Sequence, residues 1–82
     1  MKFELYKDIV LTKDIEEENL KAGDIGTIVD YHSVPDKEPG YSIEFFDLIG
    51  NTVAVVTVPE SWLRSPTHRD IPSTRNYTKA EK

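Results

Sequence analysis

The stretch that decides the fold is Leu20-Lys21-Ala22-Gly23-Asp24-Ile25-Gly26-Thr27-Ile28-Val29-Asp30. Two glycines stand three residues apart in it, directly before a run of β-branched side chains. Glycine adopts the tight and left-handed backbone conformations that other residues avoid, so the pair predicts a turn. Branched side chains suit the pleated surface of a sheet, so residues 27–32 are predicted to form a strand. The stretch therefore predicts a turn that leads into the second strand of a small β protein.

An alternation of apolar and polar residues marks the third strand, residues 41–46. Tyr41, Ile43 and Phe45 fall on one face, which is the period-two pattern of a half-buried strand. Phe46 breaks the alternation, so we expect it to be partly exposed or to lie at a bulge. The segment before this strand holds two prolines and a glycine and is predicted to form a loop.

A continuous apolar run, residues 53–58, predicts the fourth strand. Because its apolar side chains fall on both faces, we expect a central strand. Pro59 cannot donate to the ladder and ends this strand, and residues 59–63 are predicted to form one helical turn. A first strand at residues 8–12 and a last short one at Leu63–Arg64 complete the set. Five short strands separated by turn residues predict a small all-β antiparallel barrel.

The chain of 82 residues is long enough for one small domain, and its charge is distributed unevenly. Residues 1–63 carry thirteen acidic and five basic side chains, whereas residues 64–82 carry two acidic and five basic ones. From residue 65 onward no apolar period continues, so we predict a barrel over residues 1–64 and a disordered or loosely attached basic tail over residues 65–82. An acidic body repels phosphate, which argues against nucleic acid as a partner of the barrel. The alternative is that the basic tail contacts nucleic acid, although scattered charges in a tail more often serve solubility.

The sequence lacks the residue constellations that catalysis or metal binding needs. It has no cysteine, and His32 and His68 show none of the spacings of metal-binding histidines. The Gly23-x-x-Gly26 motif opens a strand rather than a helix, so it is not a phosphate-binding loop. No apolar stretch is long enough to cross a membrane. We therefore expect a cytoplasmic, non-catalytic protein with no cofactor, no metal site and no membrane partner.

Four segments occur in a fixed order: Leu5-Tyr6-x-Asp8-Ile9-Val10-Leu11-Thr12-x-Asp14-Ile15, Leu20-Lys21-x-Gly23-Asp24-Ile25-Gly26-Thr27-Ile28-Val29, Tyr41-x-Ile43-Glu44-Phe45-Phe46-Asp47 and Thr52-Val53-Ala54-Val55-Val56-Thr57-Val58. In this order, over about residues 4–64, they resemble a family of short bacterial proteins described only as a domain of unknown function. The resemblance implies an SH3-like barrel. It also implies a place in small operons of the kind seen for toxin–antitoxin pairs, and it supplies no catalytic or ligand residues.

Acidic side chains are concentrated between the first two strands, at Asp14, Glu16, Glu17 and Glu18. One interpretation is a solvated, charged loop with Ile15 packed beneath it. The other is a patch that attracts a basic protein, because complementary charge accelerates association. The second interpretation places these four residues in a partner-binding site.

Aromatic side chains form a second candidate surface, made of Tyr31, Tyr41, Phe46 and Trp62. Exposed aromatic residues line the grooves of peptide-binding barrels, and Trp and Tyr are frequent interface anchors. The alternative for Trp62 is that it closes the end of the barrel as part of the core.

Charge and aromatic residues together predict a protein-interaction module that binds a basic protein partner. We expect it to be a monomer or a weak homo-oligomer. Two alternatives are an antitoxin or immunity-like subunit for a neighbouring small toxin, and an accessory subunit of a larger enzyme. Replacing the acidic loop should distinguish an interaction surface from a merely solvated one.

Overall fold

A computed structural model describes residues 1–72 and 74–78. Its regular structure is all-β, as the sequence predicts, with two single turns of 3-10 helix between strands. The turns are Glu16–Glu18, called here the acidic turn, and Glu60–Trp62. The five strands are β1 (Asp8–Leu11), β2 (Ile25–His32), β3 (Gly40–Phe46), β4 (Thr52–Pro59) and β5 (Leu63–Arg64).

The strands form one sheet in the order β4-β3-β2-β1-β5, and every neighbouring pair is antiparallel. The sheet curls into half a barrel around the core. Strand β4 is therefore an edge strand, and the prediction that it is central was wrong. The reason is that an apolar face does not require a covering element: Ala54 and Val58 are buried, whereas the Val55 side chain between them is 57% exposed.

Of the glycine pair, Gly23 makes the predicted turn, whereas Gly26 already lies within β2, which begins two residues earlier than predicted. Gly23 has a φ of +95°, in the left-handed region that favours glycine. Gly26 lies against β3 so closely that a Cβ there would be 2.5 Å from Ile43 Cγ2 and 2.9 Å from the Glu44 carbonyl oxygen. The first glycine makes the turn, and the second lets β2 and β3 approach each other.

The end of β3 carries the predicted irregularity. The register with β4 shifts between Phe45 and Phe46, and Phe46 is 44% exposed. Asp47 then organises the hairpin, because its carboxylate accepts hydrogen bonds from the Ile49 and Asn51 backbone N–H groups at 3.0 and 2.9 Å. These bonds lower the pKa of Asp47, with Asn51 the larger contributor.

The described part of the C-terminal segment contacts the body of the protein through two side chains. Tyr77 packs against the core cluster and donates from its hydroxyl to the Glu18 carbonyl at 2.8 Å. The Arg75 guanidinium pairs with the Asp24 carboxylate and donates to the Asn19 carbonyl at 3.3 Å. Single anchoring side chains, which need no apolar period, hold residues 74–78 against the acidic turn. Residue 73 and residues 79–82 of the predicted tail lie outside the described residues.

Candidate functional site

A groove of about 380 Å³ lies between the acidic turn and the edge strand β4. We call it the edge groove. Side chains of the β1–β2 connection contribute one wall, β4 contributes the other, and the 3-10 turn after β4 contributes an aromatic ring. The lining residues are Ile15, Glu17, Glu18, Val55, Val56, Thr57, Val58 and Trp62.

The acidic turn displays its charge because the residues on either side of it are held inside the protein. Ile15 is 8% exposed, as the sequence predicts, and Leu20 is 2% exposed. The two residues pair across the turn through backbone hydrogen bonds of 2.9 and 3.1 Å. Asn19 closes the turn in the left-handed conformation, which an Asn tolerates well. Because Ile15 and Leu20 are buried on either side of the turn, Glu17 and Glu18 lie at the rim of the groove.

Trp62 is both a core residue and a groove residue. Its ring is half-buried and packs against the core cluster, yet it also lines the edge groove. The Lys13 ammonium lies 5.7 Å from the centre of the ring, within the range of a cation–π contact. The Trp62 carbonyl accepts a 2.8 Å hydrogen bond from the Thr12 N–H, which ties this turn to the end of β1.

The turn that carries Trp62 is fixed by two carboxylates. Glu38 accepts hydrogen bonds from the Ser61 N–H at 3.0 Å and the Ser61 hydroxyl at 2.8 Å. The Ser61 backbone bond and then its hydroxyl bond lower the pKa of Glu38. Glu60 accepts from the Tyr41 hydroxyl at 2.9 Å. Trp62 is therefore presented by a turn with defined hydrogen bonds on both of its preceding residues.

The β4 wall consists of four successive residues, Val55 to Val58. Successive side chains of a strand point to opposite faces of the sheet. A groove that touches all four must therefore run along the edge of the strand rather than over one face. Sequence reasoning missed this wall, although one signal was present: no charged side chain occurs anywhere between Thr52 and Pro59.

Three of the eight residues that the sequence singled out meet in this groove: Glu17, Glu18 and Trp62. Asp14 and Glu16 belong to the same connection but do not line it. The Asp14 carboxylate instead accepts a 2.8 Å hydrogen bond from the Ala22 N–H and so fixes the approach to β2.

The other three aromatic residues lie elsewhere, and one of them requires a correction. Tyr41 is fully buried, so it cannot form part of a partner-binding surface in this structure. Its hydroxyl accepts from the Lys2 and Phe3 N–H groups, both at 3.2 Å, which satisfies a phenol inside the core. Burial raises the pKa of Tyr41. Tyr31 packs on the Tyr41 ring at 5.2 Å, and the exposed Phe46 lies at the far end of β3, outside the groove.

A comparison with protein families matches residues 5–65 to the family described as Domain of unknown function (DUF4926). The chain belongs to this family. The match confirms the predicted resemblance to a domain of unknown function, and it spans all five strands and every residue of the edge groove. Searches of curated proteins and of solved structures found no match.

Two features are absent from residues 1–72 and 74–78. No group of three or more histidine, cysteine, aspartate or glutamate side chains is arranged there to hold a metal ion. No helix in that part of the chain has the length and apolar character to span a membrane.

Proposed function

We propose that the protein is a non-catalytic interaction module whose edge groove binds a basic segment of a protein partner. The observation that carries the proposal is the meeting of Glu17, Glu18 and Trp62 in one groove. Charge predicted the two glutamates and aromatic character predicted the tryptophan, so two independent sequence signals converge on one place.

The chemistry of the groove suits a cationic, partly apolar segment. Glu17 and Glu18 supply negative charge on one wall, and valine side chains with the Trp62 ring supply apolar contact on the other. Tryptophan is enriched among residues that dominate binding energy, and charges at a rim accelerate the encounter with an oppositely charged partner. The Arg75 guanidinium of the C-terminal segment is already paired with Asp24.

The proposal includes the finer expectations from the sequence. We infer that the half-barrel is of the SH3-like type and that the protein is a bacterial, cytoplasmic one, acting as a monomer or a weak homo-oligomer. The curled antiparallel sheet of five strands supports the SH3-like part. A subunit that neutralises a small toxin and an accessory subunit of a larger enzyme are narrower versions of the same proposal, and either would place its partner in the edge groove.

A selection of short random peptides displayed on phage, performed against the full chain, tests the proposal. We expect the selected peptides to be rich in lysine and arginine. The double variant Glu17→Lys/Glu18→Lys should weaken their binding by at least about tenfold, which corresponds to ~1.4 kcal/mol. The matched control is Glu4→Lys/Asp8→Lys, which changes the net charge equally at two exposed positions outside the edge groove.

The control separates a local site from general attraction to an acidic protein. Affinity should fall by less than about twofold in the control, since distant exposed charges are screened by salt. An equal loss of peptide affinity in both double variants would mean that the net charge of the protein, rather than the edge groove, causes the binding. No loss in either variant would place the binding site elsewhere and contradict the proposal.

A further inference from the structure

Among the described residues, one side of β4 has no partner strand. Strand β4 pairs with β3 alone, and no backbone hydrogen bond joins residues 53–58 to any other element within the described residues. In an antiparallel ladder the N–H and C=O groups of alternate residues point away from the neighbouring strand. Strand β4 therefore presents a row of backbone donors and acceptors that are free to pair.

Apart from the register shift opposite Phe46, this edge lacks the features by which proteins protect such strands. Natural edge strands are commonly short, carry lysine or proline, or are covered by another element. Strand β4 is eight residues long and uncharged, and its proline stands at the very end. A long, uncharged, β-branched edge is a template for another strand.

The shape of the edge groove fits an extended chain. It follows four successive residues of β4, and at about 3.3 Å per residue this is a length of about 13 Å. An extended segment of about four residues has the same length, and its alternate side chains would point to opposite faces of the sheet. A helix, whose backbone hydrogen bonds are satisfied internally, would leave the free groups of β4 unpaired.

The charge of the edge groove indicates which kind of strand would bind there. A second copy of the chain would bring its own β4, which has no basic side chain and is followed by Glu60, into a groove rimmed by Glu17 and Glu18. The net charge of −5 also opposes self-association. A strand with basic residues at alternate positions complements the acidic wall and leaves its other side chains to contact the valines and Trp62.

We propose that a basic, extended segment of a protein partner binds in the edge groove as a sixth strand, by main-chain pairing with β4. The inference rests on the proposed function and names its mode of recognition. Main-chain pairing gives such complexes their affinity, and the alternating side chains give them their specificity.

The test uses the selected basic peptide in two N-methylated forms, each methylated at one of the two alternating sets of residues. Only one set can donate to β4, because alternate N–H groups of a strand point to opposite edges. We expect one form to lose at least about tenfold in affinity and the other to lose less than about threefold. Hydrogen exchange of the outward β4 amides in the full chain should slow by at least about tenfold in the complex.

The outcomes separate the two proposals. If both methylated forms bind well while Glu17→Lys/Glu18→Lys still abolishes binding, the edge groove is the site but strand pairing is wrong. If charge reversal has no effect, the proposed function itself fails. Sedimentation of the full chain provides a further check: a dimer that the variant Val55→Lys dissociates would show that the occupant is a second copy, and that result would also overturn the inference.

Discussion

Strands β5 and β4 are the two edges of the same curled sheet, and they end it in opposite ways. Strand β5 is two residues long, and its Arg64 guanidinium donates to both oxygens of Asp70 at 2.9 and 2.8 Å. The Asp70 carboxylate raises the pKa of Arg64, and Arg64 lowers that of Asp70. Strand β4 is eight residues long and carries no charge.

The difference distinguishes an edge that is protected against pairing with another strand, β5, from an edge that is exposed to such pairing, β4. A short strand with a paired charge offers little backbone to a foreign chain. A long apolar strand beside an acidic wall offers a template and a reason for selectivity. We therefore propose that binding occurs at the β4 edge and that the β5 edge has only a structural role.

The largest effect on stability is expected at Gly26, where β2 and β3 leave no room for a side chain. Gly26→Ala would place a Cβ 2.5 Å from Ile43 Cγ2, against a buried side chain and close to backbone. We expect a loss of about 3 kcal/mol in the free energy of unfolding, measured by urea denaturation. The control Gly40→Ala meets nothing closer than 3.4 Å and should cost less than about 1 kcal/mol. Equal losses would show that β2 and β3 are not packed as described.

Tyr41→Phe separates a core role from a binding role. It removes a hydroxyl that accepts from Lys2 and Phe3 and donates to Glu60, so we expect a loss of about 2 kcal/mol in unfolding free energy. Binding of the selected peptide to the folded variant should not change. Tyr31→Phe is the control, since no hydrogen bond of the Tyr31 hydroxyl occurs among the described residues. A loss of peptide affinity in the folded Tyr41→Phe variant would indicate that Tyr41 contributes to binding and would contradict its assignment to the core.

Val55→Lys converts the open edge into a protected one. Because Val55 is 57% exposed, the variant should unfold within about 0.5 kcal/mol of the natural protein. We expect a fall of at least about tenfold in peptide affinity, measured by calorimetry. Val55→Thr keeps the branched side chain and should bind nearly normally. A lysine variant that binds as well as the natural protein would argue against occupancy of the β4 edge.

Arg75→Ala tests whether the C-terminal segment supports the acidic turn. The Arg75–Asp24 pair is partly exposed, with side chains 34% and 21% accessible, so its loss should cost about 0.5 kcal/mol or less after screening by solvent. Hydrogen exchange near Asn19 and Leu20 should become faster. Arg69→Ala, at an exposed position in the same segment, is the control and should leave that exchange unchanged. No difference between the two variants would mean that residues 74–78 do not support the turn.

The smallest expected effect is the loss of stability at low pH that arises from Asp70, beside the β5 edge. Asp70 is held as a carboxylate by Arg64 and then by the Thr67 N–H, so its pKa lies below the ordinary value of 3.8. Its contribution to stability is present above pH 3.8 and is lost as the pH falls from there toward the lowered pKa. NMR titration should show the lowered pKa of Asp70 in the natural protein. The loss of unfolding free energy in acid should be smaller in Asp70→Asn, which lacks this carboxylate. An unshifted titration of Asp70 would mean that the Arg64–Asp70 pair does not persist in solution.

Features set by local backbone chemistry were predictable from the sequence. The glycine pair predicted the turn into β2, and the alternation around Tyr41 predicted β3 with an irregularity at Phe46. The residue types of the candidate site were also visible, in Glu17, Glu18 and Trp62. Their meeting was not, because it brings together positions more than forty apart in the chain, which only the curl of the sheet determines.

The errors have equally specific causes. An apolar run is the same in a strand covered on both sides and in an edge strand left open, so the position of β4 could not be read from it. Tyr41 was assigned to a surface because a phenol suits both core and interface, and only the folded chain shows its partners. The contacts of Arg75 and Tyr77 were not predicted, because single side-chain contacts leave no periodic pattern in the sequence.

The measurement that tests the central claim most directly is hydrogen exchange of the full chain, residue by residue, with and without the selected basic peptide. We expect the peptide to slow exchange at the outward amides between Val53 and Val58 and to leave Leu63 and Arg64 unchanged. Protection at β5, or around Phe46, with none along β4 would contradict the assignment of binding to the open edge.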